Sequence, residues 1–503
     1  MSEVSLSQSS VRPRRNLTLW GALGLSLGIV GPSLAMAGNG QGTAAAIGKA
    51  VPLIFVLGAV GIMLISHGFV RLTQRYNQAG SAYALVGKTL GPRAGFFSGW
   101  GVMLAYLFFA IGNLGAIGSF TQAFIDNAQG NPAHPFHVPW LLSGGIGLAL
   151  ASLLATREFR NVVKTLLWIE GIGVLSMTIL CIVIFAKGGN HHATGIDFST
   201  FSFKGASFSG IMGATVGAFL SWSGFEGAAA LGEETNNPSR NIPRALLTCV
   251  IGTSVLFVIV MFAETVGFGT NAAGIHAFAT SGNSLAQLGH MYVGLWFSLV
   301  LSFTAVMSSF GCLLGSTGTT SRLLFAFSRD GVGPRSWGRL DHRGEPTNAL
   351  FAVVAVVVVV ALLSFVSGHP VVGTGDSALD MYFYYSVIGA MTLMVAYLMV
   401  EFATIRHLVT ERREKIVEVV IPILGAILIV AVFYYNVKSQ VTWVAGPFIA
   451  LLLMAVGLVI CLTFPDLASK VSNGLNRDMS EAEGKELMGS SGIGREPFPT
   501  EEI

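Results

Sequence analysis

Twelve stretches of mostly apolar residues, separated by short polar loops, set the pattern of this chain. They run over Asn16 to Ala37, Val51 to Val70, Phe96 to Ile125, Val138 to Ala155, Val162 to Ala186, Gly210 to Leu231, Ala245 to Phe268, Met291 to Phe327, Ala349 to Val366, Met381 to Phe402, Val417 to Tyr435 and Val441 to Phe464. About 20 apolar residues in a helix span the hydrocarbon core of a bilayer. The pattern therefore predicts an all-α integral membrane protein with 12 transmembrane helices. The third and eighth stretches exceed the requirement and are expected to tilt or to extend past the bilayer.

The first and sixth stretches are interrupted. One reads Leu25-Ser26-Leu27-Gly28-Ile29-Val30-Gly31-Pro32-Ser33, the other Leu220-Ser221-Trp222-Ser223-Gly224-Phe225-Glu226-Gly227. Glycine lowers helix propensity and proline removes an amide donor, so both are expected to unwind near mid-membrane. A bilayer tolerates free backbone groups only around a protein-lined cavity. Each interrupted stretch opens a block of five, and paired interruptions in two repeats point to a transporter binding site. Close helix packing through small residues is the plainer alternative for these glycines.

The charges test the division independently. With the N-terminus inside, 25 of the 29 Lys and Arg residues, Arg12, Arg14 and Arg15 among them, fall in inside loops and tails; only Lys49, Lys187, Lys204 and Lys438 fall outside. That bias predicts a multi-pass plasma (inner) membrane protein with both termini cytoplasmic. The net charge of +3 then reports topology and gives no reason to invoke nucleic acid. A mean hydropathy of +0.67 with 11% charged residues excludes an ordinary soluble domain. No cleavable secretory signal is expected, because the serine-rich start leads into a full span. Cys181, Cys249, Cys312 and Cys461 lie within apolar stretches and read as small core residues. The polar tail after Pro465 reads as a flexible extension.

Three loop segments carry a family resemblance. They are Asn77-Gln78-Ala79-Gly80-Ser81-Ala82-Tyr83 with Gly91-Pro92-Arg93 following; Glu233-Glu234-Thr235-Asn236-Asn237-Pro238-Ser239-Arg240-Asn241-Ile242-Pro243-Arg244; and Ser321-Arg322-Leu323-Leu324-Phe325-Ala326-Phe327-Ser328-Arg329-Asp330-Gly331. In order and on one predicted side, they resemble bacterial amino acid permeases of the amino acid, polyamine and organocation (APC) superfamily. The resemblance implies a LeuT-type 5+5 inverted repeat. Residues 16–186 would form the first repeat and 187–404 the second, with peripheral helices at 405–464 and cytoplasmic tails at 1–15 and 465–503. It also implies no cofactor and no enzymatic reaction.

Five crossings end opposite to where they began, so the second block would enter upside down and the two broken helices would meet end to end. Helix N-termini offer free N–H groups and partial positive charge, and C-termini free carbonyls. By the resemblance, Gly28, Ile29, Val30, Gly31 and Ser33 would hold a substrate carboxylate. Ser221, Trp222, Ser223 and Gly224 would face its ammonium and side chain. The sequence departs from the family pattern in spacing its glycines three apart, with Pro32 and Ser33 next. Trp222 reads equally as a gate and as a packed core aromatic.

Charged side chains inside spans cost about 3 kcal/mol or more in lipid and are functional candidates by default. Glu170 falls near the place where some proton-coupled relatives put a lysine; it could carry a proton across or pair with backbone of the first or eighth helix. Glu226 matches an acidic family position and reads chiefly as an anchor for unwound backbone. Glu264 and Glu401, toward span ends, are expected to snorkel. Ser308 and Ser309 lie about 21 Å of helix before Arg322 and could help hold sodium, although bonds back to their own helix are favoured. The ten histidines form no metal pattern, and no phosphate loop, serine elbow or metalloprotease motif occurs. The reading that follows is a secondary transporter importing a small molecule, a neutral amino acid or related amine, with coupling to proton preferred over sodium. Obligate exchange is the runner-up, and a transport-inactive sensor is less favoured. Oligomeric state is not legible.

Overall fold

The computed structural model describes residues 17–76, 82–130, 136–156, 160–190, 195–204, 207–231, 235–341, 344–411, 416–438, 445–464 and 466–473. Arg12, Arg14, Arg15, Asn77 to Ser81, His134, His191, His192, Glu233, Glu234 and most of the tail lie outside them. Among the described residues the chain is helical, with one isolated backbone bridge between Leu17 and Thr235.

Sixteen α-helices follow in order: α1 (Leu19–Val30), α2 (Pro32–Ile47), α3 (Val51–Arg75), α4 (Ala82–Leu90), α5 (Pro92–Ala128), α6 (Trp140–Ala155), α7 (Arg160–Ala186), α8 (Phe208–Trp222), α9 (Pro238–Phe268), α10 (Ala272–Ala279), α11 (Ser284–Tyr292), α12 (Leu295–Arg329), α13 (Thr347–Ser367), α14 (Ser377–Glu411), α15 (Ile416–Lys438) and α16 (Gly446–Thr463). A 3-10 segment, Phe225–Leu231, follows α8. Each apolar stretch is helical over most of its described residues. Nine helical runs among the described residues are long and apolar enough to cross a membrane, the first taking in α1 to α3 over Leu19–Arg75; α6 and α8 are shorter apolar helices.

One boundary differs instructively from the hydropathy reading. The first stretch was expected to end at Ala37, but α2 runs on to Ile47. The polar run Asn39-Gly40-Gln41-Gly42-Thr43 lowers hydropathy there. Its side chains nevertheless find protein partners: Asn39 Nδ2 donates to Ser221 Oγ at 2.8 Å, and Gln41 Nε2 to the Ala37 carbonyl at 2.6 Å. Buried polar groups with partners do not end a helix.

The longest helices, α5, α12 and α14, form the frame against which the others pack. Glycine brings α5 and α14 into backbone contact: a Cβ at Gly115 would lie 2.3 Å from the Ala378 carbonyl oxygen, and one at Gly112 would lie 2.7 Å from Ser386 Oγ. Small residues permit this approach in membrane bundles. The four cysteines are free and buried.

Two of the family-like loop segments meet. Tyr83 Oη donates to Asp330 Oδ2 at 3.0 Å, joining α4 to the end of α12. The third segment reaches the entry to α1, where the Asn236 amide donates to the Leu17 carbonyl at 2.9 Å.

Candidate functional site

The break in the first stretch is a single residue wide. Gly31 has φ +58°, the left-handed region, and is at once C-cap of α1 and N-cap of α2. Gly28, Ile29 and Val30, expected to be unwound, are still helical; the chain yields only where glycine meets proline. The site has no room for a side chain, because a Cβ at Gly31 would lie 2.4 Å from Cys312 Sγ and 3.0 Å from Ser308 Oγ. The second break is likewise later than the stretch assigned to it. Ser221 and Trp222 end α8, and the turn falls on Ser223 and Gly224, the latter at φ +100°.

The two breaks touch. A Cβ at Gly224 would lie 2.3 Å from Ile29 Cγ2. Ser26 Oγ, on α1, donates to the Phe225 carbonyl at 2.7 Å and accepts from the Ala228 amide at 3.0 Å. One serine hydroxyl thus ties α1 to the 3-10 segment in both hydrogen-bonding senses.

The start of α2 is occupied by the protein itself. Pro32 has no N–H. The Ser33 amide donates to Glu170 Oε1 at 2.6 Å, the Leu34 amide to Ser308 Oγ at 3.1 Å, and the Ala35 amide to the Gly31 carbonyl at 2.9 Å. The carboxylate at this helix N-terminus is therefore a side chain of α7, in the place expected for a substrate carboxylate. Ser308 accepts from this backbone instead of bonding back to its own helix, whereas Ser309 Oγ does bond back, donating to the Ala305 carbonyl at 2.9 Å.

The last carbonyls of α1 face a thiol. Cys312 Sγ lies 3.2 Å from the Ile29 oxygen and 3.9 Å from that of Gly28. A thiol is a weak donor, so these carbonyls, at the negative end of the helix, keep most of their accepting capacity. Glu226, in the 3-10 segment, accepts from Tyr106 Oη of α5 at 2.8 Å and from Tyr397 Oη of α14 at 2.7 Å. It fastens unwound backbone to the frame.

A cavity of about 620 Å³ opens onto this region, lined by Gly28 and Ile29, by Glu170 and Glu226, by Ser308 and Gly311, and by Arg322 and Arg329. Trp222 lines neither this cavity nor the larger one of about 1270 Å³ beside Asn39 and Gln41. It is fully buried between Phe55 and Phe257, as a core aromatic.

Two sequence expectations are corrected. Glu264 and Glu401 do not snorkel: they are 1% and 0% exposed, because α9 and α14 carry them into the bundle interior. Other residues of the site escaped the sequence reading. Tyr106, Tyr397 and Cys312 looked like ordinary core, and Asn39, which accepts from Tyr382 Oη at 2.8 Å, lay beyond the expected helix end. The spacing of Ser308 and Cys312, one helical turn apart on the same face, was the available signal for the thiol. Among the described residues no group of three His, Cys, Asp or Glu side chains could hold a metal ion.

The sequence profile of the amino acid permease family matches residues 20–471, through all of this architecture. The chain belongs to that family. The branched-chain amino acid permease BcaP of Lactococcus lactis is 26% identical over 64% of this chain and 70% of its own length. The low-affinity putrescine importer PlaP of Escherichia coli is 27% identical over 63% of this chain and 67% of its own. The mouse cationic amino acid transporter 4 is 25% identical over 63% of this chain, which spans half of that relative. This permease is thus a multi-pass membrane protein of a transporter family and not an enzyme, and its relatives carry amino acids and an amine.

Proposed function

We propose that this permease imports an amino acid or a related amine across the plasma membrane by alternating access, as a secondary active transporter coupled to proton. In this reading α1 with α2, and α8 with the 3-10 segment, each make one crossing. The full set is twelve, the first ten crossings form two inverted five-helix repeats, α15 and α16 are peripheral, and both termini are cytoplasmic. One observation carries the proposal: the two broken helices meet at Ile29 and Gly224, and a cavity holding two buried carboxylates opens onto the meeting point. Irregular backbone at membrane depth is retained where it lines a path for substrate.

Glu170 is the proposed coupling group. It links α7 to α2 through the Ser33 amide, so gain or loss of a proton there changes the bond between a scaffold helix and a half-helix at the joint. Sodium is the weaker candidate, since Ser308 and Ser309 already have partners in Leu34 and Ala305.

The test is uptake of labelled amino acids and amines into proteoliposomes under an inward proton gradient, a sodium gradient, or neither. Proton-driven uptake that is lost in Glu170→Gln supports the reading. Uptake that needs internal substrate and ignores both gradients would make the protein an obligate exchanger. No uptake of any compound would leave a transport-inactive sensor.

A further inference from the structure

The donors that a substrate carboxylate would use are already taken. α2 begins with a proline, and the next three amides go to Glu170, Ser308 and Gly31. Glu170 is 7% exposed and lines the cavity, so its carboxylate is within reach of what the cavity admits. Beside it lie the Gly28 and Ile29 carbonyls, which among the described residues are met by the Cys312 thiol.

The charge balance of the cavity points the same way. With Glu170 against its amides, the positive end of α2 is compensated, while the negative end of α1 stays open. The second acid, Glu226, accepts two neutral hydroxyls and has no cation within the pair of bonds that hold it. Among the described residues no lysine or histidine lines the cavity; its arginines are Arg322, about 21 Å of helix from Ser308, and Arg329, and Glu345 adds a third acid to Glu170 and Glu226. Arg329 also pairs with Asp330 at 3.2 Å. A chamber walled by carboxylates and carbonyls concentrates cations and repels anions.

Resting on the transporter reading above, we infer that the substrate is an amine without a carboxylate. Its ammonium is held by Glu170 and the α1 carbonyls of Gly28 and Ile29, and Glu170 stands where the carboxylate of an amino acid would dock. This departs from the neutral amino acid that the sequence suggested. A zwitterion entering here would bring its carboxylate against Glu170 with no amide left to receive it.

The test uses pairs of compounds that differ by the carboxylate alone: leucine and isoamylamine, ornithine and putrescine, lysine and cadaverine. Binding and uptake are measured with the full-length protein in proteoliposomes. The expected result is that the amine is preferred by about tenfold or more in at least one pair, the scale of a hydrogen-bonded charge. Glu170→Ala is expected to reverse that preference, because it frees the Ser33 amide and removes the partner of the ammonium. Glu170→Gln, which keeps an acceptor oxygen for Ser33, is expected to lose the amine without gaining the amino acid. Preference for the amino acid in every pair overturns the inference and makes Glu170 an occupant that substrate displaces; the transporter reading survives that result. If monodisperse protein takes up no member of any pair, the transporter reading falls, and the inference with it.

Discussion

The Ser33 amide donates to Glu170 across 2.6 Å, so a side chain of α7, 137 residues further along the chain than Ser33, caps α2. A carboxylate at a helix N-terminus is favoured by the free amides and by the helix dipole together. Here that contact also bridges the joint between α1 and α2. Whatever loosens Glu170 loosens the joint.

Gly31 is expected to tolerate no side chain. Gly31→Ala places a Cβ in the left-handed region, at a cost of about 1–2 kcal/mol, and drives it into Cys312 Sγ. Uptake should be lost and the melting temperature lowered. Adding Cys312→Ala should recover part of the melting temperature, since it removes the collision and leaves the backbone strain. Full recovery would show that the conformation of Gly31 costs nothing.

Tyr106→Phe and Tyr397→Phe each strip one hydroxyl from Glu226. Each is expected to cost about 1–3 kcal/mol, because a buried carboxylate loses one of the hydrogen bonds that hold it. In a Glu226→Gln background the same changes should cost less than half as much, by a double-mutant cycle on thermal unfolding. Additive effects would disconnect the tyrosines from Glu226.

Both oxygens of Glu401 are buried without a hydrogen-bond partner among the described residues, packed against Gly68 and Gly425. Glu401→Gln, close in size and uncharged, is expected to leave the melting temperature unchanged or raise it by a few degrees. A fall of several degrees would show that the carboxylate is held by something more than packing. Glu264→Gln, also buried with no hydrogen bond to its oxygens by distance and angle among the described residues, should behave alike.

Asp197 lies in the loop between α7 and α8, where it accepts from the Ser199 amide at 2.9 Å, from Thr270 Oγ1 at 2.8 Å and from Lys49 Nζ at 3.1 Å. The Ser199 contact, with Thr270 and Lys49 after it, holds its carboxyl well below the usual carboxylate range. A depressed folded-state value means that the stabilisation is present above the unfolded value, about 4, and is lost as pH falls toward the folded one. Asp197→Asn should therefore lower the melting temperature at pH 7 by about 1–2 °C, discounted for its exposure. The gap should close below about pH 4. A gap independent of pH would contradict the ionic origin.

The all-helical, multi-pass architecture was legible because long apolar runs follow from bilayer physics alone. Gly31-Pro32 and Ser223-Gly224 were legible as interruptions for local reasons: few other residues disturb a helix so strongly. Their exact positions were not, since a helix persists through Gly28 and Trp222 when its neighbours pack against it. The partner of the α2 amides was harder still. Nothing local to Glu170 says that α7 lies against Ser33 at that register, and nothing local to Asn39 says that Ser221 and Tyr382 wait for it. Glu401 misled because depth along a helix was read from sequence, while the direction it faces depends on α3 and α15.

The glycines that join α5 to α14 set a limit on motion. With the Ala378 carbonyl closer to Gly115 than a methyl group could stand, neither helix has clearance to slide or roll past the other. A protein built this way cannot open by flexing its thickest timbers. In the transport cycle proposed above, passage from one face to the other would fall to the short segments hung on that frame, the arms on either side of Gly31 and Gly224.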